Sequence, residues 1–201
     1  MENAFVTFIV PSVGRETLNR TLHSLQAQTN PSWKAFVGFD GFSVLPEMDL
    51  VYDERVRYYL LEDKLGNSLK STDKNGAGIV RNYLMSDVET EWVAFVDEDD
   101  TVKTEYVTWL AEEINLYQPD CIVFRMTWSD QHNNQVLPAP GFYDIVHCSV
   151  GISFAVRVGF VRQFDAWFEQ HSSEDFSFLE QLKNLGARIV VSDRIAYNVR
   201  F

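Results

Sequence analysis

WVAFVDEDD, residues 92–100, runs five mostly apolar residues into four consecutive acids. An apolar run bounded this sharply reads as a buried strand. A strand that stops at Asp97-Glu98-Asp99-Asp100 leaves four like charges at one end of a sheet. Carboxylates held so close repel one another unless they are protonated or bridged by a cation. The stretch therefore poses two linked questions: which sheet ends here, and what positive group sits at its edge.

Upstream, AFVTFIVP (residues 4–11), WKAFVGFDG (33–41) and VRYYLLED (56–63) are further apolar runs with strand character. Leu18, Leu22 and Leu25 recur at helical spacing over residues 17–28, before Asn30-Pro31 stops the pattern. Residues 66–76 are polar and glycine-bearing and read as a loop, and 78–88 make a short helix leading into WVAFV. Downstream, 105–117 is an amphipathic helix with Trp109, Leu110 and Ile114 on one side, ended by Pro119; CIVFRMTW (121–128) is the next strand. Residues 129–144 read as a long polar loop, 150–157 as a strand, 158–170 and 176–185 as helices, and RIVVSDRIAYNV (188–199) as a closing strand. Apolar strands alternating with helices, with no wet face, predict an α/β domain built on a mostly parallel sheet covered on both sides. Ligands of such sheets bind outside the carboxyl ends of the strands. Asp40 and the acidic run both lie at such ends, which places them on one rim.

The 201 residues, 46% of them hydrophobic and 14% aromatic, are enough for one core, and a single globular domain is expected. Lys and Arg total 17 against 29 Asp and Glu, for a net charge of -12, which repels a polyanion and argues against nucleic acid as a partner. A small anion could still bind where a divalent cation neutralises it. No run of about 18 apolar residues marks a transmembrane segment, and MENAFVTFIVP lacks the basic start and cleavage site of a signal peptide, so a cytoplasmic location is expected. Cys121 and Cys148 are too few for a disulfide framework or a zinc site, and both read as buried reduced thiols.

Three groups of residues could carry chemistry. Asp97 to Asp100 are either a solvated acidic loop or oxygen ligands for a hard cation such as Mg²⁺ or Mn²⁺, which completes its shell from water and phosphate. Ser172-Ser173-Glu174-Asp175 is ordinary helix-start chemistry, yet a carboxylate there could serve as a general base. Asp40, in Phe39-Asp40-Gly41, is either a turn former or an acceptor for a nucleobase beside Pro11 and Ser12. The loop over 129–144, with Trp128 and Tyr143 at its edges, is either a surface loop or a place for sugar contacts. His147, lacking a partner in register, reads as a structural histidine.

In this order the motifs resemble the GT-A fold glycosyltransferases of the family 2 type. IVPSVGRETLNRTLHSLQAQ resembles the opening strand and helix, and FVGFDGFS the nucleotide-reading strand end. GIVRNYLMSDVETEWVAFVDEDD resembles the central signature, and HSSEDFSFLEQLKNLG the Glu-Asp motif of the acceptor half. The resemblance spans residues 4–191 and implies a nucleotide-sugar-binding half (1–104) and an acceptor-binding half (105–201). It implies donor contacts at Pro11, Ser12, Asp40, Asp97 and Glu98, with Lys74 or Arg81 as the basic contact, and a Mn²⁺ or Mg²⁺ ion held by Asp97 and Asp99. It also implies Asp175 as the base and Glu174 as its helper, acting on a UDP-sugar and a glycan or other hydroxyl acceptor with inversion. Phe39 stands where the family's nucleotide-reading pair begins with an acid, and Val80 replaces the usual Ala before Arg81. A sugar-phosphate nucleotidyltransferase and a non-catalytic nucleotide-sugar-binding module are the alternatives.

Overall fold

The computed structural model of the chain describes residues 4–47, 50–62, 76–129, 134–169 and 173–200. Among these, nine strands form one sheet in the order β3-β2-β1-β4-β8-β6-β9-β5, with β7 paired to β6. In chain order the elements are β1 (Val6–Ser12), α1 (Thr17–Gln26), β2 (Trp33–Asp40), β3 (Val56–Leu61), α2 (Ala77–Ser86), β4 (Trp92–Phe95) and β5 (Thr101–Val102). They continue with α3 (Tyr106–Tyr117), β6 (Cys121–Ser129), β7 (Asn134–Leu137), β8 (Phe154–Arg157), α4 (Val158–Phe164), α5 (Glu174–Asn184) and β9 (Ile189–Val199).

The first half is parallel, as the alternation of strand and helix requires: β2 and β4 flank β1, and β3 lies outside β2. Every residue of β1 is buried because helices cover both of its faces. Leu18, Leu22 and Leu25 of α1 are fully buried, and the helix ends at Gln26, ahead of the Asn30-Pro31 stop. On the other face α2 sits close because Gly38 lacks a side chain; a Cβ there would lie 2.8 Å from a Val80 methyl and 3.0 Å from Leu84. The chain steps outward from β1 to β3 and then returns to the other side of β1 as β4. Between β1 and β4 the strand order reverses, and a crevice forms at the carboxyl edge of such a reversal.

The second half is mixed. β8 runs antiparallel to both β4 and β6, β7 antiparallel to β6, and β5 antiparallel to β9, while β9 is parallel to β6. Four phenylalanines, Phe95, Phe154, Phe168 and Phe178, join the halves into one core, with Phe168 and Phe178 stacked at 4.2 Å.

Several local expectations are corrected. The polar stretch 129–144 is not all loop, since β7 pairs with β6 through Met126↔Leu137 and Trp128↔Gln135; the hydrophobic partners Val136 and Leu137 are its strand signal. The helix expected over 158–170 stops at Phe164, where Asp165 turns left-handed with φ 53°. The chain then extends so that Phe168 enters the aromatic core, its N–H and carbonyl both bound by the Asn82 amide at 2.9 Å. Cys121 is buried, but Cys148 is exposed at φ 64°, in a turn that its apolar neighbours Val146 and Val150 obscured in the sequence. The loop expected over 66–76 lies, apart from Gly76, outside the described residues, and so does Lys74. No helix among the described residues is long and apolar enough to cross a membrane.

Candidate active site

The register of the parallel half brings the expected residues to one edge. Pro11 and Ser12 pair with Gly38 and Phe39, Asp40 closes β2 beside them, and Ile9 pairs with Phe95 two residues before Asp97. Pro11, Ser12 and Asp40 are buried at this rim.

The four acids do not face one way. They form a tight turn closed by the Asp100 N–H donating to the Asp97 carbonyl at 3.1 Å. Glu98 points inward: its carboxylate accepts the Ser12 hydroxyl at 2.7 Å and the backbone N–H groups of Val13 and Arg15 at 3.2 Å. Asp100 also points inward, accepting the Tyr197 hydroxyl at 2.7 Å and the Arg200 N–H at 2.9 Å. Burial, with the Asp97 charge adding to it, pushes the Asp100 carboxyl up to about 7. The backbone of the turn is held by the buried Thr21, whose hydroxyl reaches the Glu98 and Asp100 carbonyls at 2.8 and 2.7 Å, and by Arg20, which donates to the Asp99 carbonyl at 2.9 Å. Asp97 and Asp99 are left projecting, with side chains 38% and 37% exposed.

Each projecting carboxylate carries a protein cation. Arg15, itself exposed, donates to Asp99 Oδ2 at 2.8 Å. Arg81, from α2, is 1% exposed and donates to Asp97 Oδ1 at 2.5 Å. The same guanidinium makes a short hydrogen bond to Glu174 Oε1 and stands 3.6 Å from Asp175 Oδ1. One cation thus faces three carboxylates, a local excess of negative charge that a proton or a metal ion can offset. Burial opposes the charge on Arg81, yet Asp97, Asp175 and Glu174 together outweigh it and raise its pKa. Burial pushes Glu174 up to about 7 and Asp175 up to about 6; Arg81 pulls both down, while Asp175 pushes up on Glu174 and Asp97 on Asp175. Asp175 Oδ1 is buried without a hydrogen-bond partner.

Glu174 and Asp175 open α5 in its acidic first turn, as the helix dipole favours. Glu174 reaches Arg81 because Gly78 lets the two helices approach. The Gly78 N–H donates to Glu174 Oε2 at 3.1 Å, and a Cβ on Gly78 would lie 2.7 Å from that oxygen. His147 is tied to the same place, its Nε2 3.1 Å from the Ser173 hydroxyl and its ring edge-on to Phe176.

The resemblance implies donor contacts at Lys74 or Arg81 and at Glu98; in the structure Arg81 lies among carboxylates, and Glu98 accepts hydrogen bonds from the loop after β1. Sequence reasoning missed Tyr197, Thr21 and Arg15. Thr21 carried a signal, a polar residue on the buried Leu18–Leu22–Leu25 face of α1, whereas nothing near Tyr197 in the sequence marks it. Among the described residues no three His, Cys, Asp or Glu side chains converge into a cage able to hold an ion unaided.

A mixed sheet whose parallel half ends in a paired-carboxylate turn, next to a helix that begins with Glu-Asp, defines the GT-A glycosyltransferase class of α/β fold. Solved structures agree on the fold. Staphylococcus aureus TarS matches with a TM-score of 0.73 over 98% of this chain and 36% of its own, at 20% identity. Its fragment 1-349 in complex with UDP matches at 0.72, again at 20% identity, covering 96% of this chain and 60% of that one. The same fragment with UDP-GlcNAc matches at 0.70 and 20% identity, covering 96% and 58%. The family-wide profile described as Glycosyl transferase family 2 matches residues 7–178, and the chain belongs to that family. TuaG of Bacillus subtilis (strain 168), a glycosyltransferase assigned to teichuronic acid biosynthesis, is 28% identical over 105 residues, which are 50% of this chain and 38% of TuaG. The chain spans 36% to 60% of the length of these relatives, less than two thirds of each.

Proposed function

We propose that the chain transfers a sugar from a nucleoside-diphosphate sugar, a UDP-sugar, to a hydroxyl of a glycan or related acceptor, with inversion. One observation carries this reading: of four adjacent acids, only Asp97 and Asp99 project at the crevice between β1 and β4, and the other two hold the turn. Two carboxylates, with no third protein ligand among the described residues, suit Mg²⁺ or Mn²⁺, which binds through one or two carboxylates and completes its shell with water and substrate phosphate. The residues fit such an ion, provided that Arg15, an exposed side chain on Asp99, moves aside. When bound, the ion supplies electrostatic stabilisation of the leaving diphosphate.

The remaining roles belong to the chain itself. Pro11, Ser12 and Asp40 line the rim where the nucleoside would lie. Arg81 holds Asp97 and Glu174 at fixed positions, and Glu174 sets the start of α5, so that Asp175 faces the crevice. Asp175, raised to about 6 and with its side chain 28% exposed, accepts the acceptor's proton near neutral pH. The freed oxygen attacks the anomeric carbon from the face opposite the diphosphate, the bond from that carbon to the phosphate oxygen breaks, and the configuration inverts. UDP as the nucleotide is supported by the UDP and UDP-GlcNAc complexes of TarS, and a glycosyl acceptor of the kind met in teichuronic acid biosynthesis by the similarity to TuaG. The nucleotidyltransferase alternative needs free N–H groups in the loop after β1 to cradle phosphates, and those of Val13 and Arg15 are occupied by Glu98.

Calorimetry with UDP tests the proposal. Wild type should bind UDP with Mn²⁺ and lose most of that affinity when the ion is chelated, and Asp99→Ala should behave as chelated wild type does. UDP binding indifferent to both Mn²⁺ and Asp99 would refute it.

A further inference from the structure

We infer that Tyr197 is a positioning residue for the donor site, fixing the turn that presents Asp97 and Asp99. The inference rests on the preceding reading of those two carboxylates. Tyr197 lies on β9, delivered beside the acidic turn by the register Val102↔Tyr197 and Thr101↔Asn198. It is fully buried, and its one hydroxyl ties both ends of the turn. The oxygen accepts the Asp97 N–H at 3.1 Å from 100 residues away, and the proton goes to Asp100 Oδ2 at 2.7 Å. Asp100 is kept in place by a second bond, from the Arg200 N–H, also supplied by the end of β9. A phenol has one proton to give and a lone pair to receive, and both are used here.

Phenylalanine would preserve the ring packing but leave the part-buried Asp97 N–H and an oxygen of the buried Asp100 without their partner. Such groups recover their hydrogen bonds only if the turn shifts. A shifted turn changes the separation of Asp97 and Asp99, the two groups whose spacing decides how well a cation is held. Groups that orient metal ligands typically contribute about 10- to 100-fold in metal affinity.

The test is Mn²⁺ binding, followed by paramagnetic resonance in the presence of UDP, for wild type, Tyr197→Phe, Asp100→Ala and the double variant. Each is assayed below its melting temperature, with the fold checked by circular dichroism. Tyr197→Phe should bind Mn²⁺ roughly tenfold more weakly than wild type, and UDP alone should bind equally well to both. Asp100→Ala removes the same tie from the other side, so the double variant should be no weaker than about the worse single one. A Tyr197 that only stabilises the fold would lower the melting temperature and leave Mn²⁺ affinity within about twofold of wild type, and that outcome overturns the inference. Losses that multiply in the double variant also overturn it. If Tyr197→Phe does not hold its fold, Asp100→Ala decides by the same thresholds. A wild type that takes up no Mn²⁺ with UDP refutes the donor-site reading, and the inference falls with it; a binding wild type beside an unaffected variant sinks the inference alone.

Discussion

Replacing Arg81 with methionine should separate a structural clamp from an ordinary surface contact. Arg81 and Glu174 are each 2% exposed at the side chain, and the guanidinium also meets Asp97 and Asp175. Methionine matches much of the volume and removes the cation that faces all three carboxylates. Removing one partner of a buried pair costs about 3–5 kcal/mol, because the other charge stays buried. In a chain of this length that corresponds to a fall in melting temperature of roughly 6–20 °C. The loss should depend on pH with a definite sign. Glu174 and Asp175 have folded-state values raised to about 7 and about 6, above their ordinary 4.5 and 3.8. The folded state therefore holds protons that the unfolded state releases, and the stability this gives at low pH is lost as pH rises through 6 to 7. Arg81 pulls both values down, so without it they climb further, and each added unit widens the penalty by about 1.4 kcal/mol. Urea unfolding of wild type and Arg81→Met, in buffer with chelator at about pH 5.5 and about pH 8.5, should give the larger difference at the higher pH. A difference below about 1 kcal/mol, or one equal at both values, would refute the clamp.

Asp175→Asn should lower turnover by roughly 10²- to 10⁴-fold while Mn²⁺-dependent UDP binding survives; single-turnover transfer with a UDP-sugar panel measures the first and calorimetry the second. Gly78→Ala places a methyl 2.7 Å from Glu174 Oε2, 3.1 Å from the Glu169 carbonyl and 3.1 Å from Phe168 Cβ, so it should destabilise by about 1–3 kcal/mol in urea melts despite the better helix propensity of alanine. Asp53, bonded through both carboxylate oxygens to Arg55, is lowered from 3.8 to about 2, chiefly by that hydrogen bond. Its contribution is present above pH 3.8 and lost as pH falls through 2. Asp53→Asn should therefore cost about 1–2 kcal/mol at neutral pH, after allowance for solvent screening, and progressively less in acid melts.

The parallel half of the fold was legible because its strands are uniformly apolar and its helices have clear spacing. β1, β2 and β4 lie where the pattern puts them, and the rim followed from strand ends alone. The second half was harder to read. Its strands pair in mixed directions, β5, β7 and β8 are only two to four residues long, and β7 hides inside a stretch whose polar residues dominate its composition. Phe168 defeats the helical reading of 158–170 because packing against Phe178 outweighs local propensity. Within the site, residue types were readable and orientations were not. Asp97, Asp99 and Asp175 could be picked out as carboxylates at strand and helix ends. That Glu98 and Arg81 turn inward depends on contacts with residues 83 to 93 positions away, which no local pattern encodes.

The four acids at residues 97–100 look redundant in the sequence, and the turn explains why they are not. A turn that must offer two carboxylates to a ligand needs its own backbone immobilised, because any slack lets like charges separate. Glu98 does this by gathering the loop after β1, where it meets N–H and O–H donors and the Arg15 guanidinium, and Asp100 by engaging β9 through a hydroxyl and a backbone N–H. Asp97 then becomes the meeting point of the two halves: its N–H is held by Tyr197 of β9 and its carboxylate by Arg81, which also holds the start of α5. Charge added at Asp97 and charge removed at Asp175 act on the same guanidinium. Under the proposed roles, occupancy of the donor site and the proton affinity of the base would be coupled through Arg81, which faces both carboxylates.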